Sequence, residues 1–260
     1  MKYQVLVSTM NQEDNSLYGK MNLHADAIIV NQCKVNRFEE QRVEGHLVRW
    51  ISLCEQGVGL SRNTALMRST ADIIQFADDD MVFSDNCSQD VLREFEAHPE
   101  ADMILFGLES LNPGRPLLRI DRFARVSRRE ALKYGCARLA ARRSKLFYNN
   151  LSFSLLFGGG AQYRSGEDTL FLQECIRKGL RVYKSPIKIA DVRQDASTWF
   201  EGYTDQHYVD KGALMAAALP CMCYPYAFMT ALKTAKWRWR EALRIFRLLC
   251  TGILAFQDNQ

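Results

Sequence analysis

The sequence begins without an apolar run. Met1-Lys2-Tyr3-Gln4-Val5 shows no stretch of signal-peptide length, so a chain that stays in the cytoplasm is expected. Glycine and proline are few, 15 and 6 in 260 residues, which excludes a collagen-like or linker-rich protein. Histidine is scarce. His24, His46, His98 and His207 lie far apart and lack metal-ligand spacing. The eight cysteines form no framework: six are scattered singly, and Cys221-Met222-Cys223 lacks the second pair that a structural zinc needs. Free thiols in a reducing compartment follow. Hydrophobic residues make up 47% and charged residues 25%, which excludes disorder. The length suits one α/β domain, or one domain plus an appendage.

The net charge of +4 conceals a strong asymmetry. Residues 1–114 carry nine Lys and Arg against eighteen Asp and Glu, a poor surface for nucleic acid. Residues 115–145 reverse this, eleven against two, and residues 233–260 have six against two. Two basic segments imply an anionic partner, phosphates or a membrane face, although a solvated face accounts for 115–145 equally well.

Short apolar runs at 4–8, 27–31, 71–77 and 101–107 read as strands buried on both faces, as in a mostly parallel sheet. Helices are expected between them: Glu39 to Leu53, a segment capped by Ser61, and Cys87 to Ala97 before Pro99. Leu117 to Ser127 and Leu151 to Phe157 read as strands, residues 128–148 as a basic helix, Glu167 to Lys178 as a helix closed by Gly179, and Leu180 to Ala190 as a strand. The alternation predicts an open α/β sheet with ligands at the carboxyl ends of its strands. Residues 213–232 carry no charge but contain Pro220 and Pro225, so buried or interfacial helices are expected there rather than a spanning one.

Three places can carry chemistry. Asp78-Asp79-Asp80 follows directly on an apolar strand. Adjacent carboxylates repel, and their hard oxygens suit Mg²⁺ or Mn²⁺, which also bridges to phosphates. A solvated acidic turn is the plainer alternative. Gly158-Gly159-Gly160 precedes Ser165-Gly166-Glu167-Asp168. There the two acids either favour the positive end of a helix or supply a general base. Gly59-Leu60-Ser61-Arg62-Asn63 puts an arginine at a helix start, where phosphates bind.

Taken in order, Ser8-Thr9, Ser61-Arg62-Asn63, Asp78-Asp79-Asp80, Gly166-Glu167-Asp168 and Ser197-Thr198-Trp199-Phe200 resemble the family 2 glycosyltransferases of the GT-A fold, particularly bacterial enzymes of surface polysaccharides. The resemblance covers roughly residues 1–212. It implies a GT-A-like, mostly parallel open sheet flanked by helices, and residues 213–260 become a helical extension. It places Ser8 and Thr9 beside a nucleotide base, with Asn31 at the second strand end where the family often has Asp. Arg62 approaches the diphosphate or base. Asp78 and Asp79 meet the ribose or the metal, and Asp80 is the chief ligand of Mn²⁺ or Mg²⁺. Asp168 takes the acceptor proton with Glu167 in support, and Trp199 lines the acceptor side. Asp191 stands where many relatives have a metal-site His.

The resemblance implies metal-dependent transfer from a nucleotide sugar, a UDP-sugar, to a lipid-linked or growing surface glycan. A single base without a protein nucleophile predicts inversion at the anomeric carbon. A nucleotidyltransferase, or a silent nucleotide- or membrane-binding module, is the alternative. At the C-terminus Trp239, Leu243, Phe246, Cys250 and Ile253 share a helical face beside Lys236, Arg240, Arg244 and Arg247. Such a helix over 233–256 suits anionic lipid, placing the protein on the inner face of the cell membrane. An ordinary packed helix is the alternative.

Overall fold

The structure is a computed structural model and describes residues 1–194 and 202–258. In chain order the elements are β1 (Tyr3–Met10), α1 (Leu17–Lys20), β2 (Asp26–Gln32), β3 (Arg37–Val43), β4 (His46–Leu53), α2 (Val58–Arg68), β5 (Ile73–Asp78), β6 (Met81–Phe83) and α3 (Cys87–Ala97). They continue with β7 (Met103–Ser110), β8 (Ala124–Arg125), α4 (Arg128–Ala131), β9 (Leu139–Arg142), α5 (Arg143–Tyr148), α6 (Glu167–Arg177), β10 (Val182–Val192), α7 (Asp205–Ala218), α8 (Cys223–Thr234) and α9 (Trp239–Gln257).

The sheet runs β3-β4-β2-β1-β5-β9-β7-β10-β6, with β8 on the side of β10. β4, β2, β1 and β5 are parallel, as are β7 and β10. Period-two alternation divides the core. Val5, Val7, Ala27, Ile29 and Ile73 face one layer with α1 and α3. Leu6, Ile28, Val30, Ile74 and Phe76 face the other with α2, α5 and α6. A third cluster joins α7, α8 and α9 to Phe157 and Tyr163.

Several expectations are corrected. Residues 39–53 form no helix but an antiparallel hairpin, β3 and β4. Glu44 (φ 51°) and Gly45 (φ 88°) supply the two left-handed residues of a tight hairpin turn, while Val48 and Trp50 alternate into the core. The expected basic helix over 128–148 contains β9, antiparallel between β5 and β7. Leu139, Ala140 and Ala141 are small enough to fill that slot completely buried, so packing overrides alanine's helix propensity. Only Ala124–Arg125 of 117–127 is strand. Residues 151–157 make no ladder. Phe153 instead stacks on Phe171 with ring centroids 4.0 Å apart and meets the edge of Phe76. Ser61 does not cap α2, which starts at Val58 after Gly57. Its hydroxyl donates to Ser8 Oγ.

Residues 213–232 supply the end of α7 and most of α8, and the boundary expected after 212 falls inside α7. Gly212 and Gly252 let α7 and α9 cross in backbone contact. A Cβ on Gly252 would stand 1.8 Å from Val209 O, and one on Gly212 2.0 Å from Leu249 O. The buried face of α9 is Ala242, Ile245, Leu249, Gly252, Ile253 and Phe256, about one position away from the stripe read in the sequence. That leaves Trp237, Trp239 and Leu243 exposed. Among the described residues no helix is long and apolar enough to cross a membrane.

Candidate active site

Parallel register gathers the strand ends. Ser8 pairs with Val30 and with Asp78, so β1, β2 and β5 terminate together. A cleft of about 680 Å³ opens above them, lined by Ser8, Thr9, Arg62, Asp78, Asp79, Asp80 and Glu167. Seven residues singled out in the sequence therefore meet in one place.

Arg62 is the hub. It is 3% exposed and reaches the cleft from the first turns of α2. Its Nη2 donates to Asp78 Oδ1 at 2.8 Å, and its Nη1 donates to Glu167 Oε1 at 3.0 Å and Asp168 Oδ1 at 2.5 Å. Burial alone would lower its pKa, but Asp168 and Asp78 outweigh this and hold it well above the usual arginine value. The guanidinium is thus committed to carboxylates rather than aimed at a diphosphate.

Glu167 and Asp168 open α6 behind Gly166, whose φ is 114°. Burial, then the charge of Asp168, raises the Glu167 carboxyl above the ordinary glutamate range, and Arg62 opposes this. Asp168 Oδ2 accepts the backbone N–H of Cys136 at 3.0 Å, so the turn before β9 fixes it from a second side. Gly158, with φ 110°, lets the chain pass directly over Glu167. A Cβ there would stand 2.6 Å from Val58 Cγ1 and 2.9 Å from Glu167 Cδ.

The three strand-end aspartates are distinct. Asp78 is tied to Arg62. Asp79 accepts from Thr9 Oγ1 at 2.5 Å, and Gln12 Nε2 donates to Thr9 in turn. Burial raises the Asp79 pKa against that bond. The pKa of Asp80 is pushed up to about 6 by burial, then by Asp78 and Asp79, against the smaller opposing effect of the nearby backbone. Among the described residues no three His, Cys, Asp or Glu side chains are gathered to hold a metal by themselves. The chemistry of Asp80 nevertheless fits a divalent cation shared with phosphate oxygens. Such a cation takes one or two carboxylates from the protein and would relieve this repulsion.

Other candidates lie elsewhere. Asn31 is buried and both ends of its amide bind the backbone of Gln12, N–H to Oδ1 at 3.0 Å and Nδ2 to O at 2.9 Å. It pins the segment after β1 instead of meeting a base. Asp191 is paired with Lys188, and Gln194 is the residue of that stretch that lines the cleft. Trp199 lies outside the described residues. Sequence reasoning missed Gln32, Arg115 and Arg164 on the cleft wall. Gln32 directly follows the second apolar run, a position that could have been read; Arg115 sits in an irregular loop, and the basic charge of 115–145 was the only signal for it.

An α/β sheet whose parallel strand β5 runs into Asp78-Asp79-Asp80, faced by the Gly166-Glu167-Asp168 helix start, has the architecture of a GT-A fold. The model of glycosyl transferase family 2 matches residues 10–149, over half of the chain. The chain belongs to that family and is a glycosyltransferase. No curated protein sequence matches it. Among solved structures, S. aureus TarS 1-349 in complex with UDP-GlcNAc is similar with a TM-score of 0.65 and 14% identity, covering 100% of this chain and 93% of that one. The complex of the same protein with UDP has a TM-score of 0.64 at 14% identity, covering 100% and 92%. At such identity the likeness is one of fold.

Proposed function

We propose that this glycosyltransferase takes its sugar from a UDP-sugar, with inversion, and delivers it to a hydroxyl of a lipid-linked or growing surface glycan. The observation that carries the reading is the Arg62 hub. One buried cation joins the strand-end Asp78 to the helix-start Glu167 and Asp168, putting donor-side and base-side carboxylates in register. The UDP-GlcNAc and UDP bound to the S. aureus structures support the choice of nucleotide.

Ser8 and Thr9 flank the base at the strand ends. Asp80, with Asp78 beside it, would hold Mn²⁺ or Mg²⁺, which would supply positive charge to stabilise a diphosphate leaving group. Asp168 accepts the proton of the acceptor hydroxyl as that oxygen attacks the anomeric carbon. The bond to the diphosphate breaks on the opposite side, which inverts the centre. Arg62 holds Asp168 in place through their ion pair, and Glu167 beside it supports that position.

The protein docks on anionic lipid through the outer side of α8 and α9. Trp237, Trp239 and Leu243 stand exposed among Lys233, Lys236, Arg238 and Arg240. This makes it peripheral on the inner face of the cell membrane.

The test is a panel of UDP-sugars with and without Mn²⁺. UDP release that depends on acceptor and metal is expected. Pyrophosphate release from UTP and a sugar 1-phosphate, with no transfer from any UDP-sugar, would point to nucleotidyl transfer, and no turnover with either would leave only a binding module.

A further inference from the structure

We propose that Arg115 is a catalytic residue that binds the diphosphate of the donor and stabilises it as it leaves. The assignment rests on the UDP-sugar reading and adds a group to it. Charge is the first argument. Asp78, Asp79, Asp80 and Glu167 line the cleft. Arg62, the buried cation among them, is committed to Asp78, Glu167 and Asp168. A nucleoside diphosphate brings further negative charge to this acidic wall, and a divalent cation shared with its oxygens offsets only part of the total. The cleft therefore needs a cation that its own carboxylates do not consume.

Arg115 and Arg164 are the other basic residues of the lining. Arg164 belongs to the segment that leads into α6, and its N–H donates to Asp210 Oδ2 at 3.2 Å. Arg115 stands on a different wall. It is exposed, and its guanidinium has no hydrogen bond or ion pair among the described residues.

Sheet register puts that wall beside Asp80. β10 lies between β7 and β6, and its Val192 pairs with Ser110 on one side and Met81 on the other. The Leu111 N–H donates to Val192 O at 2.9 Å, and the Arg193 N–H donates to Asp80 O at 3.0 Å. The loop after β7 and Asp80 therefore flank the end of β10, two strand spacings or about 10 Å apart. The loop is held where it begins. The Asn112 N–H donates to Ser110 Oγ at 3.1 Å, and Asn112 Oδ1 accepts the Gly114 N–H at 3.0 Å. The Arg115 N–H then donates to Asn112 O at 3.0 Å, closing a tight turn. This turn presents Arg115 at the Asp80 end of the cleft, the end assigned to the diphosphate.

The chemistry asks for such a group. Transfer forms a bond from the acceptor oxygen to the anomeric carbon and breaks the bond from that carbon to the β-phosphate oxygen, which keeps the electron pair. The acceptor proton goes to Asp168. The diphosphate thus gains negative charge as it leaves, and a planar guanidinium can bind two of its oxygens at once. A cation there is bound more tightly by the leaving group than by the intact donor, and it is this difference that lowers a barrier.

The test titrates full-length wild type, Arg115→Ala and Arg115→Lys with UDP, UMP and uridine by calorimetry in Mg²⁺ buffer, at low and raised salt. Arg115→Ala should bind UDP roughly tenfold more weakly, the low end for a hydrogen bond to a charged group because Arg115 is exposed. UMP should lose less and uridine nothing. Arg115→Lys should recover part of the loss, and UDP binding by the alanine variant should depend less on salt. The thermal midpoints of the unliganded proteins should agree, as expected for an exposed loop position. With the donor that the wild type turns over, kcat should fall by more than KM rises. Equal losses for UDP and uridine, or an unchanged UDP affinity, overturn the contact while leaving the UDP-sugar reading standing. A rise in KM alone overturns the leaving-group role. A wild type that binds no UDP overturns that reading, and Arg115 with it. Titration needs no turnover, so it decides the contact even for a chain that transfers nothing.

Discussion

Arg62 of α2 and Asp168 of α6 are 106 positions apart in sequence, yet Arg62 Nη1 stands 2.5 Å from Asp168 Oδ1. The same guanidinium binds Asp78 and Glu167, so one side chain fastens a strand end to a helix start across the cleft.

Arg62→Ala leaves three carboxylates without their shared cation. Removing one partner of a buried pair costs about 3–5 kcal/mol. A loss of this order is expected in chemical denaturation at pH 7. Arg62→Lys should recover only part of it, because one ammonium cannot bridge three carboxylates. An alanine variant as stable as wild type at pH 7 would remove Arg62 from the hub.

The base assignment is separable from donor binding. Asp168→Asn keeps the size of the side chain but cannot take the proton, so transfer should fall at least ~10²-fold while UDP still binds. Glu167→Gln should cost less, since Glu167 acts by orienting its neighbour. Single-turnover rates and UDP titrations on both variants decide, and a reversed order of losses would transfer the role to Glu167.

Asp80 offers a pH signature. Its folded pKa is raised to about 6, so its neutral form is favoured by folding. The associated stability is fully present below the unfolded aspartate pKa and lost as pH rises through about 6. With chelator present, Asp80→Asn should therefore stabilise the protein at pH 7–8, by about 1 kcal/mol after allowing for solvent screening, and do nothing at pH 4. The same variant should lose the extra thermal stabilisation that Mn²⁺ confers on the UDP complex. Retention of that increment would show that the metal sits elsewhere.

Gly252→Ala places a methyl against Val209 O, a backbone atom that can yield only if α7 and α9 separate. Overpacking of this kind costs about 1–3 kcal/mol. Urea denaturation should show it, with no change for Gly19→Ala in open space.

Membrane docking is best tested by point changes. Deleting α9 would uncover the face of α7 that Ile245, Leu249 and Ile253 bury, and confound unfolding with loss of binding. Trp237→Ala with Trp239→Ala touches exposed residues only. Reduced cosedimentation with anionic vesicles is expected, with residual salt-sensitive binding from the basic side chains. Undiminished pelleting would mean that this surface does not dock.

Most of the site was legible in the sequence. An apolar run ending in Asp78-Asp79-Asp80 and a Gly-Glu-Asp ahead of a helical pattern are local signals, because strand ends and helix starts are fixed by neighbours in the chain. So were the buried strands, whose faces follow from alternation. The hairpin was missed because Val43, Leu47, Trp50 and Ile51 satisfy both periods, and only the Glu44-Gly45 turn separates them. β9 was missed because its alanines are good helix formers, and their place between β5 and β7 exists only once both strands are in position.

The sequence by itself determined which residues are available for chemistry and roughly where each stands along a strand or helix, since local propensity and hydrophobic period act over a few residues. The tertiary structure alone decided their partners. It committed Arg62 to three carboxylates, turned Asn31 away to Gln12 and paired Asp191 with Lys188. Those choices depend on sheet register and burial, which bring together groups the chain holds far apart and impose the desolvation that makes a buried charge seek the nearest opposite one.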